Sequence, residues 1–306
     1  MQRKVGNYIV ETTNEDKILF PKSKITKKEF LDYYERIAAI MLPYVMNRPL
    51  SMQRFPQGIK GKGFYQKNTP DYFPQWVARF TVEKQEDGTV SYVLANNAAT
   101  LVYLAQQDCI AMHPWLSLKD KSHIPDHMIF DLDPPKKNDF KRVVAAALAL
   151  KEIVESLGLV PFVKTTGSKG LHIMIPIKRE YDFDEVKSYA SSIADVLVAK
   201  EPQYYTREVR KDKRRGRVFI DVLRNTYGHT AVAPYSVRAY EGAPIAAPLE
   251  WDELKNAKLT SQKYTIKNIF RRLSKLQDPW QGAFKHARSL RALKKKLLIY
   301  AKNQDS

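Results

Sequence analysis

Two aspartates stand two residues apart in His127-Met128-Ile129-Phe130-Asp131-Leu132-Asp133-Pro134-Pro135, a run whose alternation predicts a β-strand. Strand side chains alternate faces, so Asp131 and Asp133 project together, about 7 Å apart along the backbone. Met128, Phe130 and Leu132 face the other way and seat the strand, which leaves an acidic face over. Carboxylates paired in this way suit a divalent cation. A third, Asp221, interrupts the apolar run Val218-Phe219-Ile220-Asp221-Val222-Leu223. A buried carboxylate is costly without a partner, so Asp221 calls for a metal, an arginine or water. Three acidic side chains on adjacent strands form the protein's share of a two-metal phosphoryl-transfer centre: one ion activates the attacking hydroxyl, and both stabilise transition-state charge. The pair Asp131 and Asp133 by itself is shared by polymerases, nucleases and glycosyltransferases, and Asp221 argues against the last of these.

A second constellation is the turn Thr165-Thr166-Gly167-Ser168-Lys169-Gly170-Leu171-His172. Its glycines let backbone N–H groups converge on an anion, and Ser168, Lys169 and His172 add side-chain donors, the makings of a phosphate cradle. The spacing is not that of a Walker loop, and an ordinary hairpin turn is the plain alternative. His113, before Pro114-Trp115, reads first as a packed loop histidine. Asn14, Lys17, Lys22, Lys24 and Lys27 form a basic cluster able to bind phosphate, with solvated lysines as its plain alternative. The run 207–217, with Lys211, Lys213, Arg214 and Arg215, reads as an exposed basic loop suited to phosphate-backbone contact. Phe64 and Tyr65, beside Lys62 and Lys67, could stack on bases or fill a core.

The whole chain sets these elements in an anion-seeking context. Of 306 residues, 51 are lysine or arginine and 33 aspartate or glutamate, a formal net charge of +18. The isoelectric point is about 9.7. Such a balance favours a polyanionic partner. At 44% hydrophobic and 11% aromatic the chain can bury one large core or two small ones, and disorder is not expected. The single cysteine, Cys109, excludes an intrachain disulfide and a cysteine-based zinc site. No apolar run has the length of a signal-peptide core or a membrane span, so a soluble, cytoplasmic protein without a membrane partner is expected.

The elements that must position these residues can be read from periodicity. An amphipathic helix is expected over 27–46, with Phe30, Tyr33, Tyr34, Ile37, Ala38 and Met41 on one face, ended by Asn47-Arg48-Pro49. Residues 55–68 read as loop and short strand, 76–82 and 91–94 as strands joined by the turn Gln85-Glu86-Asp87-Gly88, and 96–107 as a helix. Helices follow at 139–157, closed by Gly158, and at 182–199. Strands are expected at 159–164, 171–177 and 217–223, the first two forming a hairpin. Residues 285–302 form a basic amphipathic helix. There is no internal repeat, so one catalytic unit over 1–282 with a basic helix or tail over 283–306 is the economical organisation.

In this order the residues resemble the polymerase domain of bacterial ligase D, of the archaeo-eukaryotic primase superfamily. The resemblance is carried by Asn14-Glu15-Asp16-Lys17-Ile18-Leu19-Phe20-Pro21, Phe64-Tyr65-Gln66-Lys67, Ile110-Ala111-Met112-His113-Pro114-Trp115, Phe130-Asp131-Leu132-Asp133-Pro134, Thr166-Gly167-Ser168-Lys169-Gly170-Leu171-His172, Phe219-Ile220-Asp221 and Pro234-Tyr235-Ser236-Val237-Arg238. It implies an α+β, primase-type fold with antiparallel or mixed central sheets flanked by helices. It also implies template-directed addition of ribo- or deoxyribonucleotides to DNA 3′ ends and into gapped duplex DNA. Two manganese or magnesium ions would serve the reaction, in end joining beside Ku and a DNA ligase, at the nucleoid. By the same resemblance Asp131, Asp133 and Asp221 would ligate the metals, Asp221 mainly the one at the primer hydroxyl. Ser168, Lys169, His172 and Arg238 would hold the nucleoside triphosphate, and His113 would lie at the active site. Asn14, Lys17 and Lys27 would receive the 5′ phosphate of a gap's downstream strand, while Phe64, with Lys67 beside it, would stack near the template.

Thr166 stands where the family often has serine, which keeps the hydroxyl, and Lys27 is matched across a gap. Lys84-Gln85-Glu86-Asp87-Gly88 has one residue too many for the Lys-x-Asp-Gly motif of an adenylating ligase, leaving an excised domain or a stand-alone polymerase. The competing readings are a non-catalytic DNA-end-binding module and a manganese-dependent Asp-x-Asp glycosyltransferase.

Overall fold

In the computed structural model, which describes residues 1–83, 88–136 and 139–302, the chain forms two units. The first comprises Met1–Asp120, Thr230–Ala247 and Tyr264–Leu276. The second comprises Lys121–His229, Pro248–Lys263 and the chain from Gln277.

The first unit begins with two hairpins, β1 (Gln2–Val5) with β2 (Tyr8–Glu11) and β3 (Ile18–Phe20) with β4 (Ile25–Thr26). Helix α1 (Lys27–Met41) follows at once, started by a capping box between Thr26 and Glu29. It stops short of the expected 46 because Pro43 has no N–H to continue the ladder, and the chain tightens into a 3-10 turn at Leu42–Tyr44. Strands β5 (Pro49–Arg54), β6 (Phe64–Gln66), β7 (Arg79–Glu83) and β8 (Thr89–Leu94) lie in the order β6-β5-β8-β7. Helix α2 (Ala98–Gln106), capped by Asn97, leads into β9 (Cys109–Pro114), which pairs with β5. The expected turn at 85–88 and the Lys84-to-Gly88 run lie, but for Gly88, outside the described residues. Phe20, Phe30, Tyr34, Ile37, Leu50, Met52, Ile110 and Met112 are fully buried, and the ring of Phe30 meets both Phe20 and Tyr34.

The second unit is built on β10 (His127–Asp133), α3 (Phe140–Ser156), β11 (Phe162–Thr165), β12 (Leu171–Pro176), α4 (Phe183–Lys200), β13 (Tyr205–Thr206), β14 (Val218–Asp221) and β15 (Pro248–Leu249). Its sheet runs β13-β14-β10-β12-β11-β15, antiparallel throughout except for parallel β13 and β14. Both α3 and α4 pack against β10. The architecture is α+β with mixed sheets. β11 and β12 form the expected hairpin, Thr165 opposite Leu171. The basic C-terminal helix is shorter than expected, Leu293–Lys302, because Arg288 bridges to Ile177 and holds the chain extended there. Among the described residues no helix is long and apolar enough to cross a membrane.

β10 forms as expected, and its acidic face is itself largely covered. Asp131 is only 8% exposed, on an interior strand of the sheet with His172 and Arg224 against its carboxylate. Beyond the end of its pairing with β14, the side chain of buried Asn225 takes over the strand's role. Its Oδ1 accepts from Ile129 N–H, and its Nδ2 donates to the carbonyls of Ile129 and Val222, each at 2.8 Å. On the other side Gly170 crosses so close to β10 that a Cβ there would lie 1.9 Å from the Leu132 carbonyl oxygen. Only glycine permits this approach, between the two aspartates. Gly170→Ala should therefore lower unfolding stability by more than about 3 kcal/mol, measured by denaturant titration, because the contact is with backbone that cannot rotate away.

Candidate active site

Antiparallel register puts directly opposed residues on one face of a sheet. Asp131 is opposite Asp221 on β14 and opposite His172 on β12, and His172 is in turn opposite Lys164 on β11. A single row thus crosses four strands: Asp221, Asp131, His172, Lys164. Asp133 lies two residues further along β10 on the same face, opposite Phe219. The three carboxylates named from the sequence are brought together by strand pairing alone.

Their electrostatics are graded. Burial raises the Asp131 carboxyl, but His172, Arg224 and Lys164 outweigh it and leave the group lowered to about 2. His172 Nε2 is 3.5 Å from its Oδ1, and Arg224 Nε is 3.6 Å from its Oδ2. The imidazole of His172 is pushed down to about 4 by its burial and by Lys164. At neutral pH it is therefore uncharged and reaches Asp131 as a hydrogen-bond donor, while its buried Nδ1 makes no hydrogen bond among the described residues. Asp133 is pushed up to about 6 by burial and then by the charge of Asp131, against the pull of Arg214 and Lys169. Asp221 is raised as well, by burial and Asp131, although its Oδ1 accepts from Leu223 N–H at 2.7 Å.

This donor set fits hard divalent cations: three carboxylates, two of them held above their ordinary range by burial and by the charge of Asp131, gain most from an added positive charge. Among the described residues no three metal-ligating side chains are gathered tightly enough to enclose an ion as they stand. The geometry explains this, since Asp131 leans toward His172 and Arg224, and Asp221 toward the backbone of Leu223. Asp131, Asp133 and Asp221 are the residues that would turn to hold metal.

The turn before β12 is organised differently from the expected cradle. The hydroxyl of Thr166, 5% exposed, accepts from the N–H of Ser168 and of Gly170, and the Thr166 N–H closes on the Gly170 carbonyl. Ser261 Oγ donates to the same carbonyl at 2.9 Å. The amides of Ser168 and Gly170 are thus satisfied within the turn, and Thr166 is its organiser. Lys169 is exposed and lines, with Asp133, Lys136, Lys211, Arg214 and Gly216, a cleft of about 150 Å³. Arg214 is fixed there by donating to the carbonyls of Glu208 and Val209 while its guanidinium stacks 3.9 Å from the Phe219 ring.

The remaining candidates belong to the first unit. His113 on β9 is 7% exposed, lies opposite Ser51, and meets the edge of Tyr65 at 5.5 Å. Arg238 is half-buried, its backbone N–H bonded to the Pro244 carbonyl. Phe64 is 44% exposed on β6, with Arg54 over its ring, and Lys67 is exposed beyond it. Lys17 and Lys27 flank the β3–β4 hairpin, joined by Lys27 N–H to the Lys17 carbonyl at 2.8 Å, and both ammonium groups reach Asp108. Asn14 is exposed, with φ +54, and its carbonyl accepts from Lys17 N–H. Lys22 and Lys24 of the same cluster are exposed.

Sequence reasoning missed Lys164, Arg224 and Asp108. Lys164 carried a readable signal, since a lysine inside Phe162-Val163-Lys164-Thr165 interrupts an apolar strand just as Asp221 does. It is 1% exposed. Arg224 follows Asp221 by three residues in a 3-10 turn and had no such signal.

Because the folded pKa of Asp133 lies above its unfolded value, the fold prefers the protonated form. The metal-free protein should therefore lose stability as pH rises through about 6 and regain it on acidification. Asp133→Asn should stabilise it at pH 8 by about 1 to 2 kcal/mol, a gain that shrinks below pH 6, as read from melting curves at several pH values.

Comparison with known proteins agrees with this geometry. Residues 26–280 match the family model "LigD, primase-polymerase domain". The chain is 32% identical over 273 residues to the bifunctional non-homologous end joining protein LigD of Bacillus subtilis, covering 89% of this chain and 43% of that protein. It is 31% identical over 257 residues to the multifunctional LigD of Mycolicibacterium smegmatis, covering 83% and 34%. The chain thus spans less than half the length of these relatives. Its fold matches the polymerase domain of Mycobacterium tuberculosis ligase D in complex with DNA with a TM-score of 0.84 at 29% identity, over 91% of this chain and 99% of that one. The chain belongs to the LigD primase-polymerase domain family, a family of nucleotidyltransferases.

Proposed function

We propose that this chain extends DNA 3′ ends and fills gaps in a template-directed manner, using ribo- or deoxyribonucleoside triphosphates and two manganese or magnesium ions. The observation that carries the reading is the cross-sheet row Asp221, Asp131, His172, Lys164 with Asp133 beside it, bordered by the cleft of Lys169, Lys211 and Arg214. Asp131, Asp133 and Asp221 hold the ions. Bound ions would activate the primer hydroxyl and neutralise charge on the reacting phosphate.

The protein's own contribution is binding and orientation. Neutral His172 keeps Asp131 in place and, with Ser168, Lys169 and Arg238, receives the triphosphate. His113 serves the same reaction. Phe64 offers a stacking surface to a template base and Lys67 a charge to its backbone. Asn14, Lys17 and Lys27 form the pocket for a downstream 5′ phosphate. The names of the relatives support an end-joining setting, and within that setting we place the protein in the cytoplasm, at the nucleoid, with Ku and a DNA ligase as partners. The formal charge of +18 supports DNA ends and gapped duplexes as the substrate surface.

A fill-in assay on a gapped duplex with manganese and nucleoside triphosphates tests the reading. Asp131→Ala should reduce primer extension by on the order of 10³-fold while changing DNA affinity by less than about threefold. Unchanged extension would remove Asp131 from the metal site, and absent wild-type extension with intact DNA binding would leave a non-catalytic end-binding module. Lys17→Ala should weaken binding to gaps with a 5′ phosphate more than to gaps with a 5′ hydroxyl. Equal losses on both would reject the pocket.

A further inference from the structure

Asp108 lies one residue past the C-cap of α2 with φ +56, the left-handed conformation that glycine or asparagine ordinarily supplies at this place. An aspartate is disfavoured there twice. Its Cβ strains the left-handed backbone, and its charge stands at the negative end of the helix dipole. Two cations offset this: Lys17 Nζ is 2.9 Å from Asp108 Oδ2, and Lys27 Nζ is 3.4 Å from Oδ1. Lys27 is 3% exposed, its ammonium pushed down by burial and supported by Asp108, with the charges of Lys17 and Arg54 acting against it. Lys17 also donates to the Pro56 carbonyl. Buried Oδ1 of Asp108 has no close hydrogen bond among the described residues and faces the Lys27 ammonium across 3.4 Å. A carboxylate bridging two ammonium groups in this way occupies the position of a bound anion.

We propose that Asp108 is a resident counter-ion of the Lys17–Lys27 pair, which a terminal phosphate monoester displaces on binding, and that it sets how tightly this pocket holds such a phosphate. The inference rests on reading Asn14, Lys17 and Lys27 as the pocket for a downstream 5′ phosphate. A phosphate monoester carries about −1.5 to −2 at neutral pH and outcompetes a single carboxylate for two ammonium groups. A 5′ hydroxyl does not. Asp108 also spares the protein an uncompensated buried ammonium at Lys27 beside the half-exposed charge of Lys17 when no DNA end is present.

The test is equilibrium binding, by fluorescence anisotropy, of the full chain to gapped duplexes that differ only in a 5′ phosphate or 5′ hydroxyl on the downstream strand. Asp108→Asn removes the charge and keeps a side chain that tolerates the left-handed backbone; Asp108→Gly does the same without any side chain. Both should tighten binding to the phosphorylated gap roughly tenfold, while the hydroxyl gap changes by less than about twofold. The gain should vanish in the Lys17→Ala background. Unchanged or weaker binding of the phosphorylated gap by both variants, with Lys17→Ala still abolishing the preference for phosphate, would overturn the proposal and leave the pocket intact. If the wild-type protein and Lys17→Ala both bind the two gaps alike, the pocket reading fails and the proposal falls with it.

Discussion

The register of the second unit's sheet is the constraint on which its chemistry depends. Directly opposed residues in an antiparallel pair have Cβ atoms about 5 Å apart, so Asp131 and Asp221 are held together whatever their charges prefer. The chain cannot relieve the repulsion by slipping one position, because a slip would turn Phe130 and Leu132 out of the core and Asp131 and Asp133 into it. Each of these apolar side chains contributes about 1.5 to 3 kcal/mol when fully buried, and both are at 0% exposure. Hydrophobic packing on one face thus stores electrostatic demand on the other. Asn225 and Gly170 tighten the same constraint from either side of β10, the one by hydrogen bonds, the other by close approach.

The demand is distributed unevenly, which gives the residues distinct roles. Asp131 is kept ionised by His172, Arg224 and Lys164, while Asp133 and Asp221 lean toward their neutral forms. A cation arriving there relieves most the two carboxylates whose charge burial and Asp131 make costly. Lys17, Lys27 and Asp108 show the same physics with the signs exchanged: cations gathered by a hairpin, and an anion holding them in balance.

Much of this was legible in the sequence because it depends on local period. Alternation around Asp131 and Asp133, the apolar run broken by Asp221, and the glycine-spaced hairpin all predicted their strands, and pairing turned them into one site. What was not legible depends on partners distant in sequence. Nothing near Thr166 announces that its hydroxyl satisfies the Ser168 and Gly170 amides and removes them from a phosphate cradle. Asp108 reads as a polar residue after a helix until the hairpin brings Lys17 and Lys27 to it. Strands β1 to β5 and β9 went unread because β1 to β4 have four residues or fewer, β5 opens on Pro49, and β9 is buried on both faces and so shows no alternation. How deeply Asp131 is buried was not legible either, because alternation reports which residues share a face, not what covers that face.

The central claim is that strand register makes Asp131, Asp133 and Asp221 a divalent-metal site. Titrating metal-free protein with manganese and following the free ion by electron paramagnetic resonance tests it directly, without DNA or nucleotide. The wild-type protein should bind manganese saturably, Asp131→Asn and Asp221→Asn should each weaken that binding by at least about tenfold, and Asp252→Asn, an exposed residue paired with Lys255, should not. Equal manganese binding by the wild-type protein and both row variants would contradict the account.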